Sequence, residues 1–171
     1  VKNYFLTQEA QIQEIKNLLK NPKEPLKAIS LLQDENQQLK QKLEQFTKEK
    51  AMGIARELAD QLEDFNGVKL LSQKVDLEPQ AVKDLVFELG QKFDNLFALL
   101  ATVSGDKVLL TCYISKPLVE QKNLDAGKVV RELGKLIHGG GGGQPFFATA
   151  GGKNPGGVPK ALERVKTFLE S

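Results

Sequence analysis

Apolar side chains recur every three or four residues through the first third of the chain, and this spacing predicts amphipathic helices. The segment NPKEP at 21–25 separates two of them, because two prolines within five residues remove backbone donors and fix the backbone. Beyond this break the apolar stripe is narrow, as in the seam of a coiled coil. Its members, called the arm stripe below, are Ile29, Leu32, Asn36, Leu39, Leu43 and Phe46.

A stripe this narrow buries little surface, so we expect the helices to need a partner chain or a second helical hairpin. Asn36 lies at a core-type position of the stripe, where paired asparagines fix the register and the number of strands in a coiled coil. The alternative is that Asn36 faces solvent on a two-helix hairpin. The sequence leaves both interpretations open.

A different pattern begins near residue 65, where FNG at 65–67 predicts the end of the helical segment. The predicted order from there is a strand at 68–75, a helix at 77–93, an apolar hairpin at 96–115, a helix at 124–137 capped by Asp125, a short strand at FFAT and a closing helix at 158–170. The pattern predicts an α/β (α+β) fold. A helical coiled-coil arm over 1–64 precedes a globular domain over 65–171 with helices and a mixed, about four-stranded sheet.

The stretch LIHGGGGGQPFFATAGGKNPGG, residues 136–157, contains nine of the 15 glycines of the chain. Glycine runs are often flexible linkers, but this one lies inside the domain, between a predicted helix and a predicted strand. Main chain without side chains allows amide groups to approach a phosphate or a base edge closely. We therefore predict a loop that stays loose until a ligand closes it, with one ring of Phe146 and Phe147 available for stacking.

The charge is unevenly distributed, although the formal net charge of the chain is only +2. Residues 1–64 carry 10 Lys and Arg against 11 Asp and Glu, whereas residues 122–166 carry 8 against 3. The basic residues near the glycines in sequence include Lys128, Arg131, Lys135, Lys153, Lys160 and Arg164. This local excess favours a polyanion as the partner.

The sequence argues against several other classes of function. There is no GxxxxGK(S/T) motif and no GxGxxG motif between a strand and a helix, which disfavours a nucleoside triphosphatase. His138, the only histidine, lies at a predicted helix end, and Cys112, the only cysteine, lies within a predicted strand. We expect no catalysis, no metal site and no membrane span in this chain, and a cytoplasmic location, which a single cysteine suits.

The segment HGGGGGQPFFATAGGKNPGGVPKALERVKTFL resembles the closing motif of bacterial alanyl-tRNA synthetases, in which a glycine run precedes Arg-Pro-Asp-Met-Ala-Gln-Ala-Gly-Gly and a final helix. The same module follows the catalytic domain of Asp-His-His phosphoesterases. The matching positions are Gly141, Gly142, Gly143, Pro145, Ala148, Ala150, Gly151 and Gly152. The chain departs from the motif at Gln144 for Arg, Phe146 for Asp, Phe147 for Met and Thr149 for Gln. The order of predicted elements extends the resemblance over essentially the whole chain.

The resemblance implies a non-catalytic domain that grips the corner of tRNA where the D and T loops meet, so that one tRNA for alanine serves both aminoacylation and editing. It also implies that the arm joins two chains in a homodimer. ATP, magnesium and zinc are implied for the longer parent alanine–tRNA ligase and not for this chain. The predicted tRNA-contacting residues are Gly139, Gly140, Gly141, Gly142, Gly143, Gln144, Phe146, Lys153, Asn154, Lys128, Arg131 and Lys135, and the predicted dimer contacts are those of the arm stripe.

The alternative is the substrate-binding domain of an Asp-His-His phosphoesterase that acts on short oligonucleotides. That version of the motif usually carries a His directly after its glycines. This chain has Gln144 there, which favours the synthetase.

Overall fold

The computed structural model describes residues 2–170, and side chains from residue 4 onwards. The helices are α1 (Lys2–Leu18), α2 (Pro25–Ala59), α3 (Pro79–Lys92), α4 (Lys116–Lys122), α5 (Ala126–Leu136) and α6 (Val158–Arg164), with short 3₁₀ helices at Pro155–Gly157 and Val165–Phe168. The strands are β1 (Glu63–Phe65), β2 (Val68–Lys74), β3 (Leu96–Ser104), β4 (Lys107–Ile114), β5 (Gly140–Gln144) and β6 (Phe147–Gly152).

The chain divides into two compact units, Val1–Phe46 and Thr47–Ser171. The sequence pattern placed this division between residues 64 and 65. The structure places it earlier because the last turns of α2 bury Ala51, Ala55 and Leu58. These turns therefore belong with the second unit, although they continue the helix of the arm.

The first unit is helical and exposed. Lys20 and Asn21 adopt positive φ angles of 61° and 53° between α1 and α2, and Pro25 then begins α2. None of residues 4–46 is buried, and the large apolar side chains of the arm stripe from Leu32 to Phe46 are 53–69% exposed. Although α2 is 35 residues long, no helix within residues 2–170 combines the length and apolar character needed to cross a membrane.

A six-stranded sheet in the order β1-β2-β3-β4-β6-β5 forms the centre of the second unit. Strands β2 and β3 are parallel and are connected through α3, as parallel neighbours require a crossover. All other neighbours are antiparallel. The predicted mixed α/β fold is thereby confirmed, with two strands more than expected, β1 and β5.

The segment FNG does not end a helix, and this prediction was wrong. Helix α2 ends earlier, at Ala59, and Asn66 and Gly67 form the two-residue turn of the β1–β2 hairpin with φ angles of 52° and 78°. Phe65 pairs with Val68 across this turn. Two positive φ angles define the tight turn that Asn-Gly favours, so the dipeptide serves a hairpin here.

Helices cover the two faces of the sheet. On one face α5 and α6 pack against a core that includes Phe97, Leu99, Leu110 and Leu133. On the other face α3 and the end of α2 bury a core that includes Leu85. Strand β6 lies inside the sheet between β4 and β5, and its Ala148 and Ala150 are buried. Strand β5 lies at the edge of the sheet.

Candidate nucleic-acid interface

The glycine run is an ordered edge strand. Strand β5 pairs antiparallel with β6 through a two-residue turn at Pro145 and Phe146, and within residues 2–170 no strand pairs with its other side. The predicted loose loop was therefore wrong, because pairing with β6 and packing under α5 order the glycines. An edge strand presents a row of unpaired N–H and C=O groups, and on β5 only Gln144 adds a side chain to that row.

The glycines fall into two alternating sets. A Cβ atom on Gly139 or Gly141 would overlap the carbonyl oxygens of Gly151 and Thr149, and one on Gly143 would lie 2.5 Å from the carbonyl oxygen of Phe147. The first set is therefore required by the close approach of β6.

The second set comprises Gly140 and Gly142. Among the described residues, a Cβ on Gly140 would meet nothing within 4 Å, and one on Gly142 would meet only Nε of Arg131, at 3.8 Å. These two positions leave bare main chain on the surface where a side chain would fit.

Helix α5 lies close along this strand because its own contact positions are also glycines. A Cβ on Gly127 would lie 3.2 Å from the carbonyl oxygen of Gly143, and one on Gly134 would lie 3.4 Å from Cα of Gly140. The predicted cap is confirmed: the Asp125 carboxylate accepts a hydrogen bond of 3.1 Å from the backbone N–H of Lys128. The N–H of Ala126 also donates to the carbonyl of Pro145 at 2.9 Å, which ties the helix start to the hairpin turn.

The other end of α5 is closed by His138 and Asn154. His138 has a φ of 52°, and the N–H groups of His138 and Gly139 donate to the carbonyls of Lys135 and Gly134, as in a Schellman motif. The side-chain amide of Asn154 donates to the carbonyl of Leu136 at 3.0 Å. Asn154, a predicted tRNA contact, thus holds the helix end within the fold, and His138 is the helix-end residue that its position in the sequence predicted.

Three predicted cations form a row beside the glycine strand. Lys128, Arg131 and Lys135 are exposed and follow each other at spacings of three and four residues along α5. Within residues 4–170 none of the three forms an ion pair, whereas Arg164 pairs with Glu132 at 2.7 Å and so compensates the carboxylate between them. A groove of about 400 Å³ runs between these side chains. Lys128, Arg131 and Lys135 are called the α5 cation row below, and no ion pair within residues 4–170 offsets their charge.

The two phenylalanines are both half-buried, and only Phe147 lies in β6. Its ring centroid lies 5.4 Å from that of Phe87. Phe146 belongs to the turn, where Nζ of Lys116 lies 5.9 Å from its ring centroid. Phe146 therefore lies outside the short strand that was predicted at FFAT, and that strand begins at Phe147.

The other predicted contacts separate along the hairpin. Gln144 is exposed and pairs with Phe147 beside the turn, whereas Lys153 is exposed at the opposite end, just beyond β6. The structure thus packs Gly140 to Gln144 against α5, with Arg131 of the α5 cation row next to Gly142, and places Lys153 and Asn154 at the base of the hairpin.

Cys112 is fully buried in β4, and burial raises the pKa of its thiol far above the usual range. We expect no measurable reaction with a thiol-specific disulfide reagent at mildly alkaline pH while the protein is folded, because the thiolate is the nucleophile. In concentrated guanidinium chloride the same reagent should titrate one thiol per chain. Fast reaction of the folded protein, at the rate of the denatured one, would contradict the buried position.

The DHHA1 domain model matches residues 67–171. The chain is 51% identical over 167 residues to the alanine–tRNA ligase of Christiangramia forsetii and 42% identical over 170 residues to that of Flavobacterium psychrophilum. These alignments cover 98% and 99% of the chain but 19% of each relative, so the chain spans about one fifth of the length of these curated relatives. The crystal structure of the C-Ala domain from Aquifex aeolicus alanyl-tRNA synthetase superposes with a TM-score of 0.60 and 30% identity, covering 64% of this chain and 98% of that chain.

Proposed function

The chain belongs to the DHHA1 domain family, and we propose that it is the C-terminal, tRNA-binding part of an alanine–tRNA ligase. The proposal depends on one observation: an exposed edge strand almost without side chains packs against α5, the helix that carries the α5 cation row. The similarity to alanine–tRNA ligases over nearly the whole chain supports the choice of tRNA as the polyanion.

The two parts of this surface suit different groups of an RNA. Exposed lysine and arginine side chains attract phosphates irrespective of sequence, which provides affinity and orientation. Bare main chain at Gly140 and Gly142 permits a sugar or a base edge to approach amide groups without steric hindrance. Such a surface would recognise the shape of a folded RNA more than its sequence. The corner formed by the D and T loops is a folded part of tRNA that can be recognised in this way.

Binding to whole tRNA should be strong at low salt and steeply salt-dependent. With about four phosphate contacts, we expect the affinity to fall about a hundredfold between roughly 50 and 200 mM salt. Fluorescence anisotropy with labelled alanine tRNA transcript measures this directly. A minihelix that carries only the acceptor stem and lacks the corner is the matched control, and it should bind at least about tenfold more weakly. Equal affinity for minihelix and tRNA would rule out recognition of the corner.

We also assign the arm stripe to dimerisation. Its large side chains from Leu32 to Phe46 are exposed on a narrow seam, and a groove of about 500 Å³ lies along the residues from Ile29 to Lys40. Burial of apolar side chains against a second copy would stabilise the dimer by about 25 cal/mol for each Å² of apolar surface removed from water. Asn36 lies within this groove, where pairing with its counterpart would fix the register.

Charges placed in the stripe should separate the chains. We expect the wild-type chain to sediment as a dimer at micromolar concentration and the double variant Leu32→Glu/Leu39→Glu to sediment as a monomer, because two carboxylates per chain would be buried in the seam. Leu31→Glu is the control, since Leu31 is 61% exposed but lies off the stripe. A monomeric wild type, or a dimer that survives in the double variant, would remove the assignment.

The ATP, magnesium and zinc of the ligase reaction belong, in this proposal, to other parts of a longer protein. Within residues 4–170 no group of three or more His, Cys, Asp or Glu side chains is arranged to hold a metal ion. The role proposed for this chain is to hold the tRNA while the chemistry takes place elsewhere.

A further inference from the structure

A second concave surface lies at the base of the glycine hairpin. The cleft has a volume of about 750 Å³, within the range of small-molecule sites, and all its lining residues belong to the second unit. Apolar side chains from the end of β2, the end of β3 and the start of β4 line it, among them Val75, Val103 and Val108. On one side its wall is the main chain of Gly151 and Gly152.

The rim of this cleft carries charges of both signs. Lys50 of α2, Lys107 of β4 and Lys153, which follows β6, line the rim, and all three are exposed. Asp76 and Glu78 lie on the same rim. Within residues 4–170 none of these five side chains forms an ion pair, so their charges are not compensated inside the fold.

The combination of groups restricts the ligand. An apolar floor suits a base, which buries its faces against aliphatic side chains, and lysines suit the phosphate that accompanies it. The two carboxylates would repel a bare inorganic anion, but they can accept hydrogen bonds from a ribose hydroxyl or from a base amino group. A nucleotide carries all of these groups in one unit.

The cleft adjoins the surface proposed to bind RNA. His138 lies on its lining two residues after the end of α5, and Lys153 directly follows the end of β6. The carboxyl end of α5, near which Lys135 of the α5 cation row lies, is therefore close to the cleft. An RNA backbone that follows the row would bring a neighbouring nucleotide to the opening.

We propose that this cleft receives one unpaired nucleotide of the bound RNA, with its base against the apolar floor and its phosphate near Lys107 and Lys153. This inference rests on the proposed function, because it takes tRNA as the ligand. It adds a base-sized pocket at the foot of the hairpin to a surface that otherwise contacts mainly phosphates and sugars.

The test uses the whole chain of 171 residues and alanine tRNA transcript. Binding is measured by anisotropy, and the reactivity of each 2′-hydroxyl towards an acylating reagent is mapped in the complex. The cleft variants are Lys107→Gln/Lys153→Gln, which removes exposed charges only, and Val103→Glu, which places a carboxylate on the floor. The control is Lys74→Gln/Lys160→Gln, which removes two exposed lysines that do not line the cleft.

We expect both cleft variants to bind tRNA about tenfold more weakly than the control, and one nucleotide to return to its free reactivity while the rest of the footprint persists. Circular dichroism shows whether Val103→Glu folds, and the lysine variant decides alone if it does not. Wild-type affinity and an unchanged footprint in the lysine variant would overturn the inference and leave the proposed function intact.

Failure of the wild-type chain to bind tRNA would instead refute the proposed function. In that case, titration with adenosine monophosphate, followed by amide shifts in NMR spectra, tests whether the cleft binds a nucleotide. Shifts confined to its lining and lost in the lysine variant support a nucleotide site, and no shifts at millimolar ligand overturn it.

Discussion

Alanine at Gly141 should lower the free energy of unfolding by about 3 kcal/mol or more, which corresponds to a fall in Tm of roughly 10 °C. The added Cβ would overlap the carbonyl oxygen of Thr149 and approach Cα and Cβ of Ala150, so the β5–β6 pair must separate to accept it. Backbone atoms cannot rotate away as the end of a flexible side chain can. Thermal and denaturant unfolding of the purified chain measure the change.

Gly140→Ala is the matched control, because it adds the same methyl group one residue earlier on the same strand. No described atom lies within 4 Å of its Cβ position, so the stability should change by no more than about 0.5 kcal/mol. It should nevertheless weaken tRNA binding, since the methyl group would cover main chain that the RNA approaches. Equal stability loss in the two variants would contradict the alternation of crowded and open glycine positions along β5.

The contrast between these glycines explains why the sequence did not predict the strand. Glycine is depleted in strands because it has no side chain to pack, so a run of five favours a loop by every local criterion. Strand β5 exists because β6 and α5 approach it too closely for side chains, and Gly127 and Gly134 on α5 make that approach possible. These contacts join different elements, so no pattern within the glycine run predicts them.

Elements with strong local signals were predicted well. The β3–β4 hairpin follows from two apolar runs around Gly105 and Asp106, and Ser104 pairs with Lys107 across that turn. Helix α5 follows from its periodicity and from the Asp125 cap. Helix α4 was not predicted, since seven residues provide too little periodicity. Asn-Gly at 66–67 fits either a helix end or a hairpin, and only the pairing of β1 with β2 decides between them.

The sequence predicts which residues contribute to the candidate site, but it does not predict how they are arranged in space. Lys128, Arg131 and Lys135 share one side of α5 because of their spacing, which the sequence shows directly. Their position beside β5 depends on how α5 docks on the sheet. The sequence does not predict the cleft at Val75, Val103 and Val108, because its residues are separated along the chain and resemble ordinary core positions.

Neutralising the α5 cation row should have the largest effect on RNA binding. For Lys128→Gln/Arg131→Gln/Lys135→Gln we expect a loss of affinity of about a hundredfold at roughly 100 mM salt, and a slope of log affinity against log salt that is shallower by about two to three. The physical reason is that each lost phosphate contact also loses the release of a counterion. The fold should persist, because all three side chains are exposed and none forms an ion pair within residues 4–170.

The same change in net charge can be made away from the site. Lys20→Gln/Lys23→Gln/Lys42→Gln removes three exposed lysines of the arm, so a long-range effect of net charge would weaken binding equally in both triple variants. We expect the arm variant to keep the wild-type slope, since phosphates in contact with α5 would still release their counterions. An unchanged slope in the α5 variant would mean that the row contacts no phosphate. That result would contradict the proposal that this surface binds RNA. The two slopes, measured on one tRNA, therefore distinguish a local interface from a merely basic protein.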